Sequence, residues 1–269
     1  MEALARRLGA TVGPDGSLLI LTGAGISAES GVPTFRGEEG YWTLGSQNFH
    51  PQEMATAAMF RQDPIGVWSW YLHRLELCRD AAPNPAHEAI ANADSRLGER
   101  LTLITQNVDG LHARAGSSPE RTLAIHGDIQ RMRCVAGCSS ELHDVPVSIG
   151  GVERGHRASP EQIRALRCPR CEGSTRPHVL WFDECYDETL YRIESALDAA
   201  RRADAVISVG TTGTTNLPQM ILEISRKREV FLVDVNPAPN PFGSAADAAG
   251  AWVRDRAGSV LPRLLASLR

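Results

Sequence analysis

The stretch LTGAGISAESGVPTFRG, Leu21 to Gly37, constrains this chain most, because it joins an apolar run to a glycine-rich turn and then to an ordered set of polar residues. Leu18 to Leu21 reads as a buried strand. Gly23 and Gly25 permit a tight turn and let backbone approach a pyrophosphate with no Cβ in the way. Ser27 is placed to cap a following helix, whose first amides would face the phosphates. Gly23-x-Gly25-x-x-Ala28 fits the dinucleotide fingerprint in its alanine-ending form, although ordinary strand-to-helix turns produce the same short pattern.

Further along, Leu18 to Thr22, Leu101 to Thr105, Ala205 to Val209 and Val230 to Val235 are short apolar runs of buried-strand type. Helical patterns such as Asp187 to Arg202 and Leu217 to Lys227 separate them. The alternation predicts an α/β fold with a doubly wound, parallel, Rossmann-like sheet. Two segments interrupt it, one aromatic and helical in pattern, the other carrying cysteines. The expected organisation is therefore a Rossmann-like domain in three parts, residues 1–39, 84–130 and 178–269, with a helical insertion at 40–83 and a zinc-binding module at 131–177. Within that module, Val147 to Pro160 is rich in glycine and charge and reads as a mobile loop.

At 269 residues and 42% hydrophobic content the chain can bury a substantial core. No apolar run is long enough to span a membrane, and MEALARRLGA lacks the apolar centre of a secretion signal, so a cytoplasmic protein without a membrane partner is expected. The formal charge of −4 argues against nonspecific nucleic-acid binding. Lys227 is the only lysine.

Four of the six cysteines fall in two close pairs, Cys134 with Cys138 and Cys168 with Cys171. Two such pairs can supply four thiolates to a tetrahedral Zn²⁺, with Gly137 and Pro169 inside the turns. Cys78 and Cys185 read as small core residues.

GAGIS followed by GVPTFRG, then TQNVDGLH at Thr105 to His112 and IHGD at Ile125 to Asp128, closely resembles the sirtuin family of NAD-dependent protein deacylases. The resemblance spans most of the chain and implies NAD as co-substrate, a structural zinc away from the chemistry, and acylated lysines of proteins as partners. It implies NAD contacts at Gly23, Ala24, Gly25, Ile26, Phe35, Arg36, Gln106, Asn107, Asp109, Gly210, Thr211, Thr212 and Asn236. Phe35 would cover the reacting ribose, and Asp109 with Asn107 and Ile26 would form the nicotinamide pocket.

The resemblance also implies that His126 is the general base and that Asn107 orients a ribose hydroxyl or a water. In the implied reaction the acyl oxygen of a modified lysine displaces nicotinamide. His126 then takes a proton from a ribose hydroxyl, and the acyl group ends on ADP-ribose. An imidazole suits that proton transfer near neutral pH. His87, His112 and His178 read as structural.

Tyr71-Leu72-His73-Arg74 bears on the substrate, since residues three apart share a helix face. A phenol and a guanidinium together suit a carboxylate, while the same spacing also fits a surface helix with a snorkelling arginine. The succinyl- and malonyl-removing class of sirtuins carries a similar Tyr-x-x-Arg, which implies an acidic acyl group here.

Two departures from the family pattern fall in segments that clamp a peptide as an added strand: the polar run Gly213-Thr214-Thr215-Asn216 before Leu217-Pro218, and Asp183 where glycine is usual. The alternatives in other classes are an NAD glycohydrolase or ADP-ribosyltransferase using the same pocket, a noncatalytic NAD sensor, and a zinc-dependent nucleic-acid binder.

Overall fold

The structure, a computed structural model, describes residues 1–33, 42–44 and 47–268. Helix α1 (Glu2–Val12) leads into strand β1 (Leu18–Thr22). A hairpin of β2 (Trp42–Leu44) and β3 (Gln47–Phe49) precedes α2 (Pro51–Met54), α3 (Ala57–Gln62) and the long α4 (Pro64–Asp80). Next come α5 (Pro85–Leu97), β4 (Leu101–Thr105), α6 (Leu111–Arg114) and β5 (Thr122–Ala124), then β6 (Gly127–Cys134), β7 (His143–Asp144), α7 (Pro160–Ala165) and β8 (Thr175–Val179). The last part runs α8 (Glu188–Tyr191), α9 (Ile193–Arg202), β9 (Ala205–Val209), α10 (Asn216–Lys227), β10 (Phe231–Val235), α11 (Pro241–Ala249), β11 (Gly250–Val253) and α12 (Ala257–Leu265).

Six strands form one parallel sheet in the order β11-β10-β9-β1-β4-β5. Every residue of β1 and β9 is buried, which is what a central strand covered on both faces requires. Side chains of β1 alternate accordingly. Leu18 and Ile20 join one core with residues of α1, α5 and α12, while Leu19 and Leu21 join the opposite core with residues of α9, α10 and α11. The chain moves outward from β1 to β4 and β5, then returns to β9 on the other side of β1 and moves out again. The order therefore reverses between β1 and β9, and the crevice at the carboxyl ends of these strands is where such sheets bind ligands. The doubly wound sheet expected from the sequence is the one observed.

A three-stranded antiparallel sheet, β7-β6-β8, carries the four paired cysteines. It shares a third core with the helical segment before α5, in which α4 residues Trp68, Trp70, Tyr71 and Leu72 pack with Ile129, Met132 and Trp181. Helix α4 starts sharply, with Pro64 in its first turn and the Asp63 carboxylate accepting from Gly66 N at 2.9 Å. It is buried nearly all round, in keeping with the density of large apolar residues from Val67 to Leu75.

Several local expectations are corrected. Ser27 caps no α-helix: two 3-10 turns, Ala24–Ile26 and Ala28–Ser30, follow β1, and the hydroxyl makes no capping bond. The backbone turns left-handed at Gly31 (φ 80°), and Pro33 follows closely, so the turn cannot propagate. The pattern from Asp187 to Arg202 splits into α8 and α9 because Arg192 is left-handed (φ 58°). Strand β10 begins at Phe231 rather than Val230. Residues 147–160, expected as a loop, are a largely exposed loop with two anchor points: Val152 and Ala158 are buried, His73 Nδ1 bonds Val152 O, and Ala158 N donates to Ser69 Oγ. Cys78 is buried as expected, whereas Cys185 is exposed on the loop after β8.

Candidate active site and cysteine cluster

Four loops meet at the carboxyl ends of β1, β4, β9 and β10, and they carry the residues singled out in the sequence. The glycines of the first loop serve a purpose the sequence did not show. A Cβ on Gly23 would lie 2.8 Å from Thr211 Cα, and one on Gly25 would lie 2.7 Å from Gly210 Cα. Backbone of the β9 loop, not open space, abuts them. Gly25 N donates to Gly210 O at 2.9 Å and Gly23 N to Val209 O at 2.9 Å, so the two loops are fastened together at the crevice. Ile26 is fully buried in the core beside α12, and its carbonyl accepts from Asn84 Nδ2 at 2.7 Å. Its side chain thus faces the core. Phe35 and Arg36 lie outside the described residues.

Gln106, directly after β4, ties three loops together. Its Nε2 donates to Thr22 O at 3.2 Å and to Thr211 Oγ1 at 2.8 Å, and its Oε1 accepts from Thr215 Oγ1 at 3.2 Å. Asn236, after β10, donates from Nδ2 to Thr211 O at 2.8 Å. Both amides brace Thr211, which is buried, while Thr212 is exposed and bonds Thr214.

Beneath these loops lies a buried polar network that no local motif reveals. Ser27 Oγ donates to Asp109 Oδ2 at 2.7 Å, and Asn107 Nδ2 donates to Ser27 Oγ at 3.0 Å and to Gly23 O at 3.1 Å. Asp109 Oδ1 accepts from Leu111 N. His87 reaches Ser27 Oγ at 3.5 Å and also closes a capping box with Asn84 at the start of α5. Its pKa is lowered, first by burial and against the pull of the Asp109 and Glu29 carboxylates. Next to it, Thr22, Thr105 and His112 bond one another through Thr22 Oγ1. Burial, then the nearby His87, pushes His112 down to about 3. Ser27 and His87 were legible only as a cap and a structural histidine, because their partners are 60 and 82 positions away along the chain.

His126 sits on the link between β5 of the parallel sheet and β6 of the antiparallel one. Ile125 N donates to Thr105 O and Leu180 N donates to His126 O, so both neighbouring sheets fix the backbone here. The turn requires Gly127, which is left-handed (φ 89°) and whose Cβ would lie 2.1 Å from His178 O. His126 Nδ1 lies 2.9 Å from Gln106 O and Nε2 lies 2.8 Å from the Tyr186 hydroxyl. A carbonyl can only accept, so Nδ1 carries the ring proton and Nε2 presents its lone pair to the phenol. Burial pushes the imidazole down to about 4 against the Gln106 bond, so near pH 7 the ring is neutral and Nε2 carries no proton. Tyr186 as a neighbour of this nitrogen was not foreseen.

On α4, Tyr71 and Arg74 are both buried and electrostatically coupled to one another. Trp181 Nε1 donates to Tyr71 Oη at 2.9 Å, so the phenol oxygen accepts and its own proton can be donated. Burial holds that phenol well above its ordinary value. Burial lowers the Arg74 pKa, while Cys78, Tyr71 and Asp109 pull it up. It also lies 5.3 Å from the Trp70 ring.

Cys134, Cys138, Cys168 and Cys171 bring four Sγ atoms within 4.8 Å of one another, with Cys134–Cys171 and Cys138–Cys168 at 3.6 Å. Four thiolates about 2.3 Å from a tetrahedral Zn²⁺ would have sulfur–sulfur edges of about 3.8 Å, so the cluster fits that ion. Cys134 ends β6, where it pairs with Thr175 of β8. Among the described residues, no fifth metal-ligating group joins the four thiols.

The parallel sheet, the crevice loops and the cysteine module together have the form of a nucleotide-binding α/β protein with a cysteine cluster suited to a structural metal. Residues 23–216 match the Sir2 family model. The chain is 41% identical over 226 residues to an NAD-dependent protein deacylase of Aeropyrum pernix, covering 84% of this chain and 83% of that one. It is 35% identical over 259 residues to NAD-dependent protein deacylase 1 of Archaeoglobus fulgidus, covering 96% of each. A crystal structure of a Sir2 homologue with NAD superposes with a TM-score of 0.78 at 34% identity, over 97% of this chain and 92% of that one. This chain therefore belongs to the Sir2 family and is an NAD-dependent enzyme with a cysteine cluster suited to structural zinc. Among the described residues no helix is long and apolar enough to cross a membrane.

Proposed function

We propose that this chain removes acyl groups from protein lysines, with a preference for the acidic succinyl and malonyl groups over acetyl, and that His126 is its general base. The protein-deacylase reading is supported by the names of the similar proteins and by a solved Sir2 homologue variant, 34% identical, held with 2′-O-acetyl ADP ribose. The observation that carries the acyl preference is the buried pair Tyr71 and Arg74 on one face of α4. A guanidinium and a phenol with a proton to give are complementary to a carboxylate and add nothing for a methyl group.

NAD, when bound, supplies the ribose to which the acyl group passes. The remaining chemistry belongs to the chain. Asn107, fixed through Nδ2 by Ser27 and Gly23, keeps Oδ1 to accept from a ribose hydroxyl or a water. Asp109, Asn107 and the Ile26 backbone wall the nicotinamide end of the crevice. Gly23, Ala24, Gly25, Gly210, Thr211, Thr212 and Asn236 form its phosphate and adenosine side, with Gln106 holding the loops in place. His126 Nε2 takes a proton from the ribose hydroxyl that attacks the acyl carbon, and Gln106 O holds the ring in the tautomer that permits this. The cysteine cluster lends no side chain to the crevice loops and acts through the antiparallel sheet that carries it.

The test is turnover with NAD and matched succinyl-, malonyl-, acetyl- and unmodified lysine peptides, followed by mass spectrometry of nicotinamide and acyl-ADP-ribose. Arg74→Met should lower activity on the succinyl peptide at least about tenfold more than on the acetyl peptide. Equal loss on both removes the carboxylate clamp. His126→Ala should abolish turnover with the fold intact, and nicotinamide release regardless of peptide would make the enzyme an NAD glycohydrolase instead.

A further inference from the structure

The nitrogen that must accept a proton from substrate is already engaged. His126 Nε2 has one lone pair in the ring plane, and the Tyr186 hydroxyl donates to it at 2.8 Å. The two rings lie 5.9 Å apart at 30°, so the phenol tip, not the ring edge, meets the imidazole. Burial pushes the Tyr186 phenol up to about 12, which keeps it a donor across the working range. The ring of Tyr186 rests against the core formed by Leu197, Ile125 and their neighbours, so this orientation is a packed one.

Tyr186 stands on the loop between β8 and α8, between two firm anchors. On one side Glu184 bonds Trp181 N and forms a two-pronged ion pair with Arg176. On the other, Asp187 caps α8 by accepting from Leu190 N at 2.7 Å. The backbone that carries the phenol is therefore fixed on both sides, and displacing the hydroxyl requires only the Tyr186 side chain to move, leaving both anchors in place.

We propose that Tyr186 is a removable cap on the general base: its hydroxyl occupies the place at His126 Nε2 that the ribose hydroxyl must take, so productive docking requires its displacement. The cap spares a half-buried imidazole an unsatisfied nitrogen while the site is empty of ribose. It also lowers apparent affinity, because only the uncapped fraction of the enzyme can engage the hydroxyl. The inference rests on the role proposed for His126 and is independent of which acyl group is removed.

Tyr186→Phe deletes the hydroxyl and keeps the ring. With NAD varied at a saturating acyl-lysine peptide, KM for NAD should fall and kcat/KM rise about two- to tenfold, the range one net hydrogen bond represents. Titration with NAD alone should give a Kd lowered in the same proportion. The ¹⁵N shift of His126 Nε2 in the free protein should change in the variant, reporting loss of the bond directly. A fall in kcat/KM, or no change, overturns the cap and makes Tyr186 an aid to catalysis or a bystander. A variant that merely packs poorly would lower the melting temperature without lowering KM, and Tyr186→Leu, which removes ring and hydroxyl together, separates the two. If His126→Ala keeps full activity, the assigned base itself fails, whatever Tyr186 does.

Discussion

Ser27 donates its hydroxyl to Asp109 Oδ2 at 2.7 Å while accepting from Asn107 Nδ2 at 3.0 Å, so one small side chain joins the β1 loop to the β4 loop at the base of the crevice. Ser27 and Asp109 are 1% and 5% exposed, and water cannot substitute freely for either partner. The geometry of Asn107 therefore depends on a residue outside the set first assigned to the site.

Ser27→Ala should leave the buried Asp109 carboxylate and the half-buried Asn107 amide each short of one bond. The expected cost is about 1–3 kcal/mol of stability, since a stranded buried group costs its desolvation. Activity should fall further than stability explains, because Asn107 loses its orientation. Denaturant unfolding alongside steady-state kinetics checks this, and a variant with unchanged kcat/KM would show that Asn107 is held by Gly23 O alone.

Asp183, at the position where the sequence departs from the family's glycine, does not stand as a free charge. Its oxygens accept from Ala57 N at 2.7 Å and Ala58 N at 3.1 Å, the first-turn amides of α3, and Phe182 N donates to Ala55 O at 2.9 Å. Burial would raise its pKa, but those two backbone donations hold it below the ordinary value. The loop after β8 is thus stapled to the helical segment. Asp183→Gly should raise KM for the acyl peptide several-fold with KM for NAD little changed, and should cost about 0.5–2 kcal/mol, the worth of a helix cap. Equal change in both KM values would place the effect on the whole fold instead.

The sequence carried the parallel sheet well, because the runs at β1, β4 and β9 are apolar on both faces and each is followed by a polar loop. The cysteine cluster was equally legible, since its four ligands come in two close pairs. What it hid are contacts between residues far apart in the chain. Tyr186 meets His126 across 60 positions, and the glycines of the first loop are required by Gly210 and Thr211 rather than by a bound phosphate alone. Tyr71 and Arg74 could be placed on one helix face by spacing, but only packing shows that the face is buried and that Trp181 occupies the phenol oxygen.

The cysteine cluster should matter to the loop after β8 as well as to its own module. Cys134 and Thr175 are paired across β6 and β8, next to Arg133 paired with Arg176, and both arginines reach Glu184 of the loop. Removing metal with a strong chelator should lower the melting temperature by at least about 5 °C and abolish deacylation below that temperature, because thiolate–zinc bonds contribute directly to folding. Added Zn²⁺ should restore both. A stripped enzyme that melts unchanged would mean the four thiols hold this geometry without an ion.

Acid should destabilise the enzyme through buried neutral histidines. Burial pushes His126 to about 4 and His112 to about 3, and burial together with Arg133, Arg176 and Arg131 pushes His178 to about 4. In the unfolded chain each returns to about 6.5. Between those limits the unfolded state binds more protons than the folded state, so stability rises with pH there. The contribution is fully present above pH ~6.5 and is lost as pH falls toward ~4, at up to about 1.4 kcal/mol per pH unit for each group. With zinc kept in excess, the urea midpoint should be flat from pH ~7.5 to ~6.5 and then decline steadily. His178→Phe, which keeps a ring against Tyr191, should shallow that decline. A midpoint that stays level to pH ~4.5 would mean that these imidazoles can be protonated within the folded protein at little cost.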